Sequence, residues 1–233
     1  MKKIKVGLTG ASGRMGQAFQ GLLKNSKEFE FFVSIGRTPV EAAQHHQKDF
    51  SHAKLMSQVD VWIDFSSPEL FSELVACAMK HKTPVVCGTT GFDEKTKKTF
   101  AKVAKKIPLL WSGNMSFGIQ VVLRALESFS DLANFDFQIE EIHHNKKKDA
   151  PSGTGLMLKK KLDQVVQKTT PPILSIRGGG VFGVHKILAM SDEEVITIEH
   201  SALNRNVFAR GALIAAKALV KKKAGLYSLS DVI

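Results

Sequence analysis

Ile4-Lys5-Val6-Gly7-Leu8-Thr9-Gly10-Ala11-Ser12-Gly13-Arg14-Met15-Gly16 decides the architecture. The apolar run from Ile4 to Thr9 reads as a strand, and the glycines then carry the chain through a tight turn into a helix expected from Gly13 to Lys24. A glycine-rich turn in that context lets the backbone approach a pyrophosphate, while the helix N-terminus stabilises its negative charge. Working outward, further strands are expected at Phe29 to Ile35, Val59 to Phe65, Val85 to Cys87 and Pro108 to Trp111. A helix from Pro68 to near Lys80 and a lysine-rich helix before Pro108 fall between them. This alternation argues an α/β fold: a Rossmann-like, doubly wound parallel sheet with right-handed crossovers. The stretch from Thr38 to Gln58 is polar, His-rich and short, which predicts one reduced crossover.

After Asn114 the pattern changes. A helix with apolar positions Ile119, Val122, Leu123 and Leu126 precedes strands expected at Phe135 to Ile142, Ile173 to Arg177, Val184 to Met190 and Val195 to His200. Few helices separate these strands, so they read as a second α+β domain on a mixed sheet. The last segment, Val207 to Lys222, is alanine-rich and expected to be helical.

The bulk properties of the 233 residues are those of a soluble globular protein. Met1-Lys2-Lys3 runs directly into a short strand, which leaves no room for the apolar stretch of a signal peptide, and no segment is long and apolar enough to span a bilayer. Cys77 and Cys87 are expected to be buried free thiols, and the compartment to be cytoplasmic. A net charge of +11 raises the question of nucleic acid. Lys95, Lys97, Lys98, Lys102, Lys105 and Lys106 recur as on a solvated helix face, and the runs Lys159 to Lys161 and Lys221 to Lys223 look like helix exteriors. No aromatic-rich RNA-binding pattern or Cys/His finger accompanies them, so no nucleic-acid partner is expected.

The chemistry concentrates in Glu140-Glu141-Ile142-His143-His144-Asn145-Lys146-Lys147-Lys148-Asp149-Ala150-Pro151-Ser152-Gly153-Thr154-Gly155. The histidines arrive where an expected strand ends, and Pro151-Ser152-Gly153-Thr154 opens a helix running to about Lys168. Unpaired N–H groups in the first turn of that helix, beside three lysines, make a site for a small acid. Adjacent residues of a strand face opposite ways, so His143 and His144 require separate roles and are poorly placed to share a metal. No metal site is expected.

This stretch resembles the His-His-x-x-x-Lys-x-Asp-x-Pro-Ser-Gly-Thr signature of the 4-hydroxy-tetrahydrodipicolinate reductase family, formerly dihydrodipicolinate reductase. The resemblance extends over nearly the whole chain, through Gly10 to Gly16, Asp64-Phe65-Ser66-Ser67-Pro68, Gly88-Thr89-Thr90-Gly91, Asn114-Met115-Ser116, Arg177-Gly178-Gly179 with Gly183-Val184-His185, and Asn204-Arg205 with Phe208-Ala209 and Gly211-Ala212. It implies NAD(P)H-dependent reduction of a cyclic dicarboxylate in the diaminopimelate route to lysine, with loss of water. It implies that His143 is the general acid, Lys147 the charged donor near the reacting centre, His144 a substrate contact, and Gly153 and Thr154 the groups that hold a substrate carboxylate. Cofactor contacts are implied at Gly10, Ala11, Ser12, Gly13, Arg14, Met15, Gly88, Thr89, Thr90, Ser112, Gly113, Asn114 and Met115. For Gly88 to Gly91 a simple turn is the alternative. His185 has two readings, a substrate-site residue or a buried structural histidine. The last helix is implied to return to the first domain, giving a dinucleotide-binding domain of 1–112 with 211–233 and a substrate-binding and oligomerisation domain of 113–210, hinged near Ser112 and Gly211. A homotetramer built through sheets of the second domain is implied as well.

Cofactor choice turns on the end of the second strand. A carboxylate there accepts from the adenosine ribose of NADH, but here Val33-Ser34-Ile35 runs into Gly36-Arg37-Thr38. Arg37 is suited to a 2′-phosphate, so NADPH is expected to be preferred, with NADH tolerated; a mere loop cation is the alternative. A short-chain dehydrogenase is excluded because it needs Tyr-x-x-x-Lys, and Tyr227, the single tyrosine, is followed four residues later by Asp231. Two other functions stay open: a reductase of another cyclic imine or dicarboxylate, and a non-enzymatic NADPH sensor that binds nucleic acid.

Overall fold

In the computed structural model, which describes residues 2–132 and 134–232, the chain divides into two compact units: residues up to Met115 with those from Phe208 onward, and Ser116–Val207. Met1 and Ile233, the expected ends of the first domain, lie outside the described residues. The division falls after Met115 and before Phe208 rather than at Ser112 and Gly211, because Met115 and Ala209 are buried in the core of the first unit.

The first unit runs β1 (Ile4–Thr9), α1 (Arg14–Lys24), β2 (Phe29–Ile35), β3 (His45–Gln47), α2 (Ala53–Met56), β4 (Val61–Asp64), α3 (Pro68–His81), β5 (Val85–Cys87), α4 (Glu94–Ala104) and β6 (Pro108–Trp111). The second carries α5 (Phe117–Ala125), a 3₁₀ turn (Leu126–Asp131), β7 (Asp136–His143), α6 (Gly153–Val166), β8 (Leu174–Arg177), β9 (Gly183–Met190) and β10 (Val195–Ala202). The chain then forms α7 (Asn206–Leu219) and β11 (Gly225–Tyr227).

The large sheet has seven strands in the order β11-β6-β5-β4-β1-β2-β3, all paired in parallel. Period-two alternation splits its side chains between two layers. Val6, Leu8, Val61, Ile63, Val86 and Leu110 pack with Phe19 and Leu23 of α1 and the alanines of α7. Val33, Trp62, Val85, Cys87 and Leu109 pack on the other side with Phe71 and Leu74 of α3 and Phe100 and Val103 of α4. Trp62, fully buried, fits because its neighbour on β1 is Gly7, where a Cβ would lie 2.4 Å from the indole. The short crossover expected between Thr38 and Gln58 is present as β3 and the single turn α2.

The small sheet is mixed, in the order β10-β9-β7-β8, with β7 parallel to β8 and antiparallel to β9. Phe137 and Ile139 of β7 and Ile187 and Ala189 of β9 are buried under Val122, Leu126, Leu158 and Leu162. On the opposite face Leu174 and Ile176 of β8 are about half exposed, at 52% and 49%.

The lysines of α4 are exposed apart from Lys97, which pairs with Glu94. Two of the expected helix exteriors differ. Lys159 is tied to Asp163 and to the Thr170 carbonyl, and Lys221–Lys223 follow the end of α7 at Leu219, where the chain turns into β11. Both cysteines are buried and free. Among the described residues no helix is long and apolar enough to cross a membrane, and no group of His, Cys, Asp or Glu could hold a metal ion.

Candidate active site

In the first unit the sequence-predicted nucleotide residues gather beyond the carboxyl ends of β1, β2, β5 and β6, the edge where open parallel sheets take ligands. Gly10 has φ +74, and a Cβ there would lie 2.1 Å from the carbonyl oxygen of Phe65, so the turn requires glycine. The Gly13 N–H donates to the Gly10 carbonyl at 3.0 Å, which places Gly13 at the N-cap of α1. No side chain caps that helix, and its first turn holds no acidic residue. By contrast α3, α4, α5 and α6 are capped by Ser67, Asp93, Ser116 and Ser152. The uncapped N-terminus and the glycines at both ends of the turn fit a pyrophosphate. Ala11 is buried, Ser12, Gly13 and Arg14 are exposed, and Met15 is half-buried.

At the end of β2, Arg37 is exposed beside Gly36, with no carboxylate at either position. Gly88 follows β5, and a Cβ on it would lie 2.3 Å from the Phe65 ring. Thr89 is buried; its hydroxyl accepts from the Ser66 N–H at 2.8 Å and its carbonyl accepts from the Trp111 indole at 2.9 Å, so its groups hold the loops while Thr90 stands exposed. The Ser112 hydroxyl donates to the Asn114 carbonyl at 2.6 Å, Gly113 is exposed, and the Met115 side chain is in the core. Beneath these loops the Asp64 carboxylate accepts from Thr9, Ser66 and Cys87.

In the second unit strand β7 extends one residue further than expected, through His143, and so places Glu141 and His143 on the same covered face. Glu141 is completely buried and forms a fork with Arg177 of β8, Nη1 to Oε2 at 2.9 Å and Nη2 to Oε1 at 2.6 Å. The same carboxylate contacts His143 Nδ1 through Oε2 and accepts from the Ser152 N–H at 3.2 Å through Oε1. Ser152 caps α6 by accepting from the Gly155 N–H at 3.0 Å, and its hydroxyl meets His185 Nε2 at 3.1 Å. The His143 and His185 rings stack edge to face with centroids 5.2 Å apart.

His144 lies past the strand end, where its carbonyl accepts from the Lys147 N–H at 3.1 Å and its Nδ1 is buried without a partner. Lys147 is half-buried and its ammonium pairs with Asp149 at 2.8 Å; Lys146 and Lys148 are exposed. Gly153 is exposed at the first position of α6, with open space where a Cβ would be, and Thr154 is half-buried beside it.

Burial opposes the charge on Glu141, but the hydrogen bonds from Arg177, Ser175 and His143 outweigh it and hold the carboxyl at about 2. Burial lowers the His143 imidazole below its ordinary value, against the upward pull of Glu141, and Lys147 and Arg177 push it further down. Burial, with the charge of His143, brings His185 down to about 4, so it is neutral near pH 7. Because Arg177 compensates Glu141, the lysines and the α6 N-terminus leave this corner positive and suited to a carboxylate.

Family models for dihydrodipicolinate reductase match both parts of the chain, the N-terminal model over residues 4–115 and the C-terminal model over 118–233. The chain belongs to the dihydrodipicolinate reductase family. It is 52% identical over its whole length to a 4-hydroxy-tetrahydrodipicolinate reductase of Bdellovibrio bacteriovorus, 97% of which is covered. It is 40% identical to the enzyme of the same name from Rickettsia bellii, over 98% of this chain and 94% of that one. The fold is similar to that of a dipicolinate-bound dihydrodipicolinate reductase from Paenisporosarcina sp. TG-14, with a TM-score of 0.85, 21% identity and full coverage of both chains. An aspartate dehydrogenase from Thermotoga maritima is more distant in shape, at a TM-score of 0.55 and 13% identity over 95% of this chain and 98% of that one.

Within this dihydrodipicolinate reductase family member, His143 and Lys147 lie in one strand-to-helix connection with Gly153 and Thr154. The sequence reading did not single out Glu141, Ser152 or Asp149 for a role in the site, nor pair Arg177 with Glu141. One signal was available: Glu141 stands two residues before His143, and residues two apart on a strand share a face.

Proposed function

We propose that this nucleotide-dependent reductase converts 4-hydroxy-tetrahydrodipicolinate to tetrahydrodipicolinate with loss of water, using His143 as proton donor and Lys147 as the cation that stabilises the charge developing on the substrate. The observation that carries the assignment is the grouping of a buried imidazole, a half-buried ammonium and a helix N-terminus at one strand end. When bound, NAD(P)H supplies the hydride. Gly153 and Thr154 receive one substrate carboxylate at the α6 N-terminus, and Lys147 exchanges its contact with Asp149 for the substrate. His143 then gives its proton to the reduced ring, and His144 orients that ring. His185 is read as a supporting residue, because it is buried and bonded to Ser152.

NADPH is the preferred cofactor in this reading, supported by an exposed Arg37 where a ribose-binding carboxylate is missing. The half-apolar open face of the small sheet, with Leu174, Ile176 and Val195 exposed, supports assembly into a homotetramer through that sheet. The reading places the enzyme in the cytoplasm and needs neither a nucleic-acid nor a membrane partner. The test is a coupled assay with the aldol synthase that forms the substrate, following NADPH absorbance. Turnover with that substrate supports the proposal; stoichiometric NADPH binding without turnover refutes it. Replacing Gly36-Arg37 by Asp-Ala should shift the NADPH-to-NADH ratio of kcat/KM about 10- to 100-fold toward NADH.

A further inference from the structure

Glu141 has a carboxylate with no exposed surface, and beside the hydroxyl of Ser175 it has four contacts on its two oxygens. Oε1 accepts from Arg177 Nη2 and the Ser152 N–H, and Oε2 accepts from Arg177 Nη1 and meets His143 Nδ1. An ionised carboxylate has about four acceptor positions and no proton to give. The fork of Arg177 and the Ser152 amide can only donate, so the remaining contact is satisfied only if His143 Nδ1 carries a hydrogen. Nε2 of the neutral ring is thereby left as the basic nitrogen, and it points at Gly183, where an added Cβ would lie 2.9 Å away.

We infer that Arg177 and Glu141 are a positioning pair that fixes the tautomer and ring orientation of His143, so that Nε2 is the atom that carries the transferred proton. The inference deepens the proposed function and rests on its reading of His143 as the acid. Arg177 is itself held, with Nη2 donating to the Asp149 carbonyl at 2.6 Å and Nη1 to the Ile176 carbonyl at 2.8 Å, so the fork cannot swing away from Glu141. A buried ion pair contributes little net stability compared with well-packed apolar side chains. What it supplies here is a fixed acceptor at Nδ1 and a full negative charge that favours the imidazolium. The charged and titratable groups facing His143 are Glu141 on its own strand, Arg177 on β8, His185 on β9, and Lys147 in the following turn with its partner Asp149.

Nitrogen-15 NMR of histidine-labelled protein tests this without substrate, with His143 assigned by its loss in H143Q. The wild type should show the Nδ1–H tautomer at high pH. E141Q, of equal size but without the charge, should shift His143 toward the other tautomer and lower its pKa. In the coupled assay kcat should fall about 10- to 100-fold with KM little changed, and the alkaline limb of the pH profile should move to lower pH. E141D, which keeps the charge, should restore part of the pKa. If E141Q does not fold, R177K supplies the same test, since it keeps a cation but loses the fork. An unchanged His143 tautomer, titration and pH profile in a folded E141Q or R177K would overturn the inference. A wild type with the expected tautomer but no turnover would instead overturn the functional reading alone.

Discussion

Gly183→Ala probes the site from the side opposite Glu141. The added Cβ would stand 2.9 Å from His143 Nε2 and 3.3 Å from its Cδ2, whereas ordinary contact begins at 3.4 Å, so the ring must recede by roughly half an ångström. It cannot do so freely, because Nδ1 is held by Glu141 and the His185 ring packs against it. Gly183 has no positive φ, so alanine is compatible with the strand and reduces the entropy of the unfolded chain by about 0.4–1 kcal/mol. Overpacking costs about 1–3 kcal/mol, leaving a net loss of roughly 0–2.6 kcal/mol and a folded variant. Misplacing a reacting group by up to an ångström costs up to ~10²-fold in rate, so kcat should fall about 10- to 100-fold. NADPH affinity should not change, since the glycine turn belongs to the other unit. Steady-state kinetics in the coupled assay, a fluorescence titration with NADPH and a urea melt separate these effects. A folded Gly183→Ala variant with wild-type kcat/KM would refute the claim that His143 is held against Gly183 for catalysis.

His143→Gln should retain fold and cofactor affinity while kcat drops about 10²- to 10⁴-fold, checked by the same kinetics and titration. Thr154→Val should raise KM more than it lowers kcat; a collapse of kcat at constant KM would move Thr154 into the chemistry. Gly10→Ala should abolish NADPH binding in a fluorescence titration, because φ +74 and a backbone oxygen 2.1 Å from the new Cβ force the turn to move. His185 titrates near 6.5 when unfolded and at about 4 in the folded chain. On acidification the unfolded chain therefore takes up the proton first. The stabilising contribution of the neutral ring is complete above pH 6.5 and declines down to pH 4, by about 3 kcal/mol on the order-of-magnitude scale. Urea unfolding between pH 7 and 4.5 should show this slope in the wild type and a flatter one in His185→Gln.

The nucleotide-binding half was legible because its cues are local. An apolar run, a glycine turn and a helix occupy consecutive residues, and Phe29–Ile35, Val85–Cys87 and Pro108–Trp111 form strands at the predicted bounds. Strand β11 was not legible: Gly225–Tyr227 is three residues long and is a strand only because it pairs with β6, far away in sequence. Likewise His45–Gln47 is polar and is held by the edge of β2 rather than by its own propensity. At the candidate site the histidines, Lys147 and the α6 turn stand in one continuous segment. The partners of His143 do not, since Arg177 and Gly183 arrive on β8 and β9 and act through register and close packing. A buried Glu141 also runs against the ordinary expectation that a carboxylate in a strand faces water.

Strand β11 and helix α7 make the order of synthesis matter. A ribosome producing this chain completes residues up to Met115 and then makes all of Ser116–Val207 before the last segment emerges, about 5–20 s at typical elongation rates. Throughout that interval the large sheet has β6 as an open edge, and the alanines that α7 buries against Phe19 and Leu23 are missing. The unit Ser116–Val207 can therefore fold on the nascent chain first, while the nucleotide-binding half waits for the C-terminal residues. A premature stop after Val207 would leave a folded C-terminal half tethered to an aggregation-prone, incomplete nucleotide fold.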